Sequence, residues 1–330
     1  MAQTITILGT GGTIASTDET GGAKPSKNSE ALVEAVPQLA DYADLDVREV
    51  AQRPSFDMDI PTLEELRQAI EGAVEDDADG ILVTHGTDTM EESAYYLDLT
   101  LDVGVPVVFS GAQRRPDEVS PDGPANLFTA VRVLTDDRIR NSGGVYIAFD
   151  EELHAARDVT KRHTRKLDAF ESPEKGPVAV TTRGAVRWYR EPGSYSVTLD
   201  GTGEPSDIDV RMVTSGVGVG GDQIEDALDA GVDGLVVEGT GLGNTTAAVG
   251  NAIEQAVSAG VPVVVTSRCY AGSTAAVYGT DGGGQTLADY GAIHGDDLPA
   301  HKARLKLRVV LQHVDEASQV RRYFSGYEIQ

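Results

Sequence analysis

Apolar residues recur along the chain in two alternating rhythms. Short runs rich in Val and Ile at 4–9, 45–50, 80–84, 106–110 and 144–149 have the length and composition of buried strands. Between them, 62–74 and 91–101 repeat apolar positions at helical spacing. Thr62 and Glu65 stand three apart, as in a capping box, which predicts a helix start there. A second series follows, with strands at 210–214, 234–238 and 261–266 and helices at 222–230, 245–259 and 301–311. Strands and helices in strict alternation make parallel sheets covered by helices, so the fold class is α/β.

Residues 190–207 (REPGSYSVTLDGTGEPSD) break the rhythm with Gly, Pro, Ser and charge. The boundary is expected there: a larger first domain at 1–190, a linker at 191–207 and a smaller second domain at 208–330. The halves echo each other, since DGILV at 79–83 leads through a helix to VPVV at 105–108, and DGLVV at 233–237 leads likewise to VPVV at 261–264. Both are expected to be open, doubly wound parallel sheets. Ligands in such sheets bind beyond the carboxyl ends of the strands, which directs attention to the loops there.

Composition adds charge to this picture. The 330 residues carry 53 acidic and 27 basic side chains, a net charge of −26. Only seven of the basic residues are lysines. Such a surface repels nucleic acid and anionic membranes, so neither is expected as a partner. Excess carboxylate with little lysine is similar to proteins of salt-loving archaea, where concentrated salt screens self-repulsion. No run of apolar residues is long enough to span a bilayer. No secretory leader precedes residue 4, so a soluble, cytoplasmic protein is expected. The lone Cys269 permits no intrachain disulfide and is expected to pack. His85, His154, His163, His294, His301 and His313 are dispersed without metal-ligand spacing, and no metal or cofactor is expected.

Three loops after strands concentrate small hydroxyl, glycine and charged residues. GTGGTIA at 9–15 lets the backbone turn tightly and approach a ligand. Taken alone, such a turn is more often structural or phosphate-binding than nucleophilic, though the Gly-Lys-Ser/Thr ending of a P-loop is missing. THGTDTME at 84–91 sets hydroxyls and a carboxylate at a helix start, where backbone amides hold anionic or zwitterionic ligands. The plainer reading is an N-cap by Thr87 or Asp88. RDVTK at 157–161 places Lys161, one of few lysines, in a third loop. A lysine that loses its proton on burial serves as a base toward a hydroxyl, whereas a surface lysine is only a solvated charge.

Together the runs ILGTGGTIAS, THGTDTMEESAYYL and RDVTK closely resemble the bacterial-type L-asparaginase family. GAQRRPDEVSPDGPANL at 111–127, SRCYAG at 267–272 and HKARLKLRVVL at 301–311 extend the resemblance over essentially the whole chain. It implies hydrolysis of the L-asparagine side-chain amide to L-aspartate and ammonia through a threonine nucleophile and an acyl-enzyme. By motif position, Thr10 is similar to the primary nucleophile, and Thr87, Asp88 and Lys161 to a second catalytic group. Ser55 resembles the residue that holds the substrate α-carboxylate, and Asp88 also resembles the ligand of the α-ammonium. Ala112 matches a position whose carbonyl meets the scissile amide, Gly86 lies in the substrate-binding loop, and Asn244 is a further substrate-site neighbour. The resemblance also implies a homo-oligomer, dimer or tetramer, with glutamine as a second possible substrate.

The chain departs from the family pattern in places. STDETGGAKPSK at 16–27 lacks the tyrosine that many members carry there, and Phe56 stands where a glutamine is frequent. GTGLGN at 239–244 is longer than the family's Gly/Asn turn, and no acid in 277–290 matches a glutamate that a partner subunit supplies in some members. Two other readings share the three loops: the ammonia-generating subunit of an archaeal glutamyl-tRNA amidotransferase, for whose extra N-terminal domain no room is expected before residue 4, and a non-catalytic amino-acid-binding protein.

Overall fold

Strand β1 (Thr4–Gly11) shows why the first sheet forms. Ile5 and Ile7 bury on one face and Thr6 and Leu8 on the other. A strand buried on both faces belongs inside a sheet that helices cover on both sides. The computed structural model describes residues 3–12, 14, 16–19, 22–25, 29–199 and 207–324, with the backbone alone over 16–29. The position of the absent tyrosine therefore concerns side chains outside the described residues.

The chain divides into two compact units, Met1–Asp200 and Gly201–Gln330. In the first, β2 (Ser16–Glu19) and β3 (Gly22–Pro25) form a hairpin of their own. Helix α1 (Ser29–Glu34) then leads to β4 (Asp44–Arg53), α2 (Ile60–Glu75) to β5 (Gly80–Thr84), α3 (Met90–Thr100) to β6 (Val107–Ser110), and α4 (Gly123–Leu134) to β7 (Val145–Phe149). Five short strands follow: β8 (Glu152–Ala155), β9 (Thr160–Lys161), β10 (Phe170–Glu171), β11 (Ala179–Thr181) and β12 (Val186–Trp188). The main sheet has eight strands in the order β12-β11-β8-β7-β6-β5-β1-β4.

From β4 to β7 the neighbours are parallel. β8, β11 and β12 are antiparallel additions, which corrects the expectation of a wholly parallel first sheet. The cause is the turn between β7 and β8. Asp150 and Glu151 both take positive φ, at 49° and 66°, in a two-residue hairpin whose twist matches its strands. A parallel successor needs a crossover of roughly a dozen residues or more, and none is available there.

Leu127, Val131 and Leu134 of α4, with Leu32 of α1, share one core with Ile5, Ile7, Leu82 and Val108. Leu66 and Ile70 of α2 bury on the opposite face. The α2 start differs from the capping-box expectation. Asp59 is the cap, and its carboxylate accepts from the Thr62 amide at 3.0 Å and the Thr62 hydroxyl at 2.6 Å. Pro61 tolerates this first-turn place, so the helix begins earlier than Thr62.

The order of strands places the ligand crevice. β1 connects onward to β4 on one side, and the chain then crosses to β5 on the other. Adjacent strands whose connections diverge leave a gap at their carboxyl ends, where open α/β sheets bind ligands. The loops after β1 and β5 flank that gap.

The second unit holds β13 (Val210–Thr214), α5 (Asp222–Asp229), β14 (Gly234–Gly239), α6 (Ala247–Ser258), β15 (Val263–Ser267), α7 (Gly284–Tyr290), β16 (Ile293–His294) and α8 (Ala300–His313). Its four strands are parallel in chain order, over a core of Val213, Ile224, Leu235, Val237, Ile253 and Val265. Cys269 is exposed, not packed, because it follows β15 in a surface loop. Among the described residues no helix is long and apolar enough to cross a membrane.

Candidate active site

Gly9 of β1 stands opposite Thr84 of β5, so the chain leaving both strands runs side by side. Thr10 follows at 1% exposure, and its hydroxyl donates to the Thr84 carbonyl at 2.9 Å. Gly12 has φ +90°, and a Cβ there would lie 2.3 Å from the Gly86 amide nitrogen. A Cβ on Gly86 would in turn meet Ser55 Oγ at 2.5 Å. Glycine is therefore required at both points for the loops to close on each other.

Ser55 arrives from the far side of β1. β4 ends in a single 3₁₀ turn, Ser55–Asp57, which buries Ser55. Its Oγ accepts from the Asp88 amide at 3.2 Å, and its carbonyl accepts from the Thr89 hydroxyl at 2.6 Å. Its neighbour Phe56 is 75% exposed.

Lys161 joins the same loop. Its Nζ donates to Thr87 Oγ1 at 2.8 Å and to Asp88 Oδ1 at 2.7 Å, and its side chain is only 11% exposed. The lysine stands on β9, in a small ribbon with β10, where a loop was expected. Thr87 and Asp88 do not cap α3; Thr89 takes the N-cap place, and its hydroxyl is spent on Ser55. The capping alternative is thereby set aside, and a hydroxyl, a carboxylate and an ammonium meet at one point.

Ala112 is buried just beyond β6, the strand next to β5. The segment around it is pinned by Asp122, whose carboxylate accepts from the amides of Gln113 at 3.0 Å and Arg114 at 2.8 Å. Asn126 adds a bond to the Gly111 carbonyl at 2.9 Å. The first unit thus gathers Thr10, Ser55, Gly86, Thr87, Asp88 and Lys161 around the crevice, with Ala112 one strand away. Asn244 lies in the second unit, where its side-chain oxygen accepts from the Gly284 amide at 2.9 Å at the start of α7.

Sequence reasoning gave no role to three residues that shape this site. His85 is wholly buried, which pushes its pKa down to about 4 and keeps the ring neutral. Its Nδ1 lies 2.6 Å from the Gly86 carbonyl, so the proton resides on Nδ1 and fixes the glycine peptide. Glu91 and Asp122 accept backbone amides of catalytic-side segments. An acid in the first turn of α3, directly after the loop, was the readable sign of Glu91.

Residues 4–194 match the family described as Asparaginase, N-terminal, and residues 209–324 match the Glutaminase/Asparaginase C-terminal domain. The chain belongs to the asparaginase family. A probable periplasmic L-asparaginase of Haemophilus influenzae is 33% identical, with 98% of this chain and 93% of that protein covered. A glutamyl-tRNA(Gln) amidotransferase subunit of Methanothermobacter thermautotrophicus is 34% identical over 96% of this chain and 74% of its own length. The crystal structure of a probable cytoplasmic L-asparaginase from Campylobacter jejuni superimposes with a TM-score of 0.88 at 33% identity, covering 98% of this chain and 99% of that one. Like that relative, this asparaginase-family chain has a large first α/β unit and a smaller parallel second one.

Proposed function

We propose that this protein hydrolyses the side-chain amide of L-asparagine, giving L-aspartate and ammonia. The observation that carries the proposal is Lys161 Nζ held between Thr87 Oγ1 and Asp88 Oδ1. A hydroxyl is a weak nucleophile at neutral pH and needs an adjacent base. A lysine that has shed its proton takes one from Thr87, or through it from a water, while Asp88 orients the amine. Thr10 is the primary nucleophile: as its Oγ bonds to the amide carbon, its hydroxyl proton passes to the base of this relay, which delivers it to the amide nitrogen, and the C–N bond breaks to free ammonia. Water then cleaves the acyl-threonine to release aspartate. Backbone amides around Thr10 and Thr87 steady the oxyanion, worth roughly 3–4 kcal/mol per donor.

Substrate recognition follows from the same loop. Ser55 Oγ accepts from the Asp88 amide, which keeps its own proton for an incoming α-carboxylate. The Asp88 carboxylate takes the α-ammonium, and Gly86 and the Ala112 carbonyl line the amide end. Asn244 is assigned to the substrate residues by its motif position alone. The domain limits 1–190 and 208–330, a cytoplasmic location, a halophilic habit with an acidic surface and a dimeric or tetrameric assembly belong to the same proposal.

The deciding experiment is ammonia release from asparagine and from glutamine, without any added protein, in molar KCl. Turnover by the wild type, and its loss in Thr10→Ala and Lys161→Ala, is expected. Full turnover in both variants would sink the mechanism. The similarity to an amidotransferase subunit supports a second reading, in which ammonia appears only with a partner present.

A further inference from the structure

Glu91 is the second residue of α3 and is 6% exposed. A carboxylate in a helix's first turn faces the free amides of that end, which stabilise its charge. Its Oε1 accepts two hydrogen bonds from β9: the Thr160 hydroxyl at 3.2 Å and the Lys161 backbone amide at 2.9 Å. β9 is two residues long and belongs to a ribbon with β10, apart from the eight-stranded sheet. Such a ribbon offers few ladder bonds to hold a side chain in place. Lysine adds a flexible stem of its own.

The two ends of Lys161 are nevertheless tied to one element. Its amide is fixed to Glu91, and its Nζ reaches Thr87 and Asp88 on the loop that enters α3. We propose that Glu91 is a positioning residue, acting through Lys161 to set where its Nζ meets Thr87. This rests on the reading of Lys161 as the base. The carboxylate touches the lysine's backbone, so what matters is its acceptor oxygen more than its charge.

Glu91→Ala is expected to lower kcat for asparagine by roughly 10–100-fold, the scale on which small misplacements act. KM should stay within about threefold, because Ser55 and Asp88 keep their places. Glu91→Gln restores an oxygen at the same point and should recover most of kcat. A general packing defect would instead leave Gln no better than Ala, and that result overturns the inference. So does a kcat within twofold of wild type for Glu91→Ala while Lys161→Ala is inactive. If Glu91→Ala does not fold, Thr160→Val decides: it removes one of the two bonds, and an unchanged kcat overturns the inference, whereas a lower kcat at constant KM supports it. Full turnover by Lys161→Ala in the same assay would refute the base itself, a distinct failure.

Discussion

Gly12 and Gly86 meet backbone to backbone, closely enough that a Cβ on the first would lie 2.3 Å from the amide nitrogen of the second. The contact joins the loop after β1 to the loop after β5 without any side chain. Gly12→Ala must move one loop, and its φ of +90° adds strain of its own. A stability loss of about 2–4 kcal/mol and a fall of at least about a hundredfold in kcat/KM are expected. Thermal melting and steady-state turnover check this, and an active, equally stable Gly12→Ala would refute the loop geometry.

Lys161 holds Thr87 and Asp88 at 2.8 and 2.7 Å. If it acts as a base, Lys161→Arg should be as inactive as Lys161→Ala, with kcat down about 10²–10⁴-fold, because a guanidinium keeps its proton. Recovery of turnover in the arginine variant would show that only positive charge is needed there.

Ser55 Oγ accepts from the Asp88 amide at 3.2 Å, beside the carboxylate that Lys161 holds. Ser55→Ala should raise KM about 10–100-fold, the worth of one bond to a charged group, with a smaller change in kcat. A KM unchanged against asparagine would remove Ser55 from carboxylate binding.

Two buried groups give the fold opposing pH responses. Burial pushes Asp98 up to about 6, although Ser196, Ser194 and the Val145 amide donate to its carboxylate. The folded state therefore binds this proton more readily, and stability from Asp98 declines as pH rises from about 4 to 6. His85, held down to about 4, acts the other way: the unfolded chain takes its proton first, so stability declines as pH falls from 6.5 to 4. Each effect is on the order of 3 kcal/mol, so the wild type should be nearly flat across that window. Asp98→Asn should melt higher than wild type at pH 7 and lose stability steadily on acidification. Parallel wild-type and variant profiles would contradict this.

Net charge sets the last expectation. At −26 the compact state repels itself, and added KCl shortens the range of that repulsion. The melting temperature should climb between low and molar KCl. A flat response would count against adaptation to high salt.

Much of this architecture is legible in the sequence. The alternation around Ile5 and Ile7, and the helical spacing in α2 and α3, announce their elements because burial imposes those periods. The glycine and threonine loops advertise themselves by density, and their resemblance to a family joins them into one site. The turn at Asp150 and Glu151 stays hidden because no glycine marks its positive φ. β9 and β10 are too short for any period to register. Ser194 and Ser196 read as linker polarity, yet both bond to Asp98 on α3. Glu91 meets Lys161 across 70 residues of chain, a distance that no local pattern spans.

The ribbon of Thr160–Lys161 with Phe170–Glu171 hydrogen-bonds to itself, outside the large sheet. It is fastened to its surroundings by Glu91 and, just upstream, by Asp158 paired with Arg190 at 2.7 Å. Segments that lie outside a sandwiched sheet open at lower free energy than the sheet does. Warming or mild denaturant will thus disarm the base while the threonines still sit in a native frame, and ammonia production will fade ahead of the far-ultraviolet helical signal.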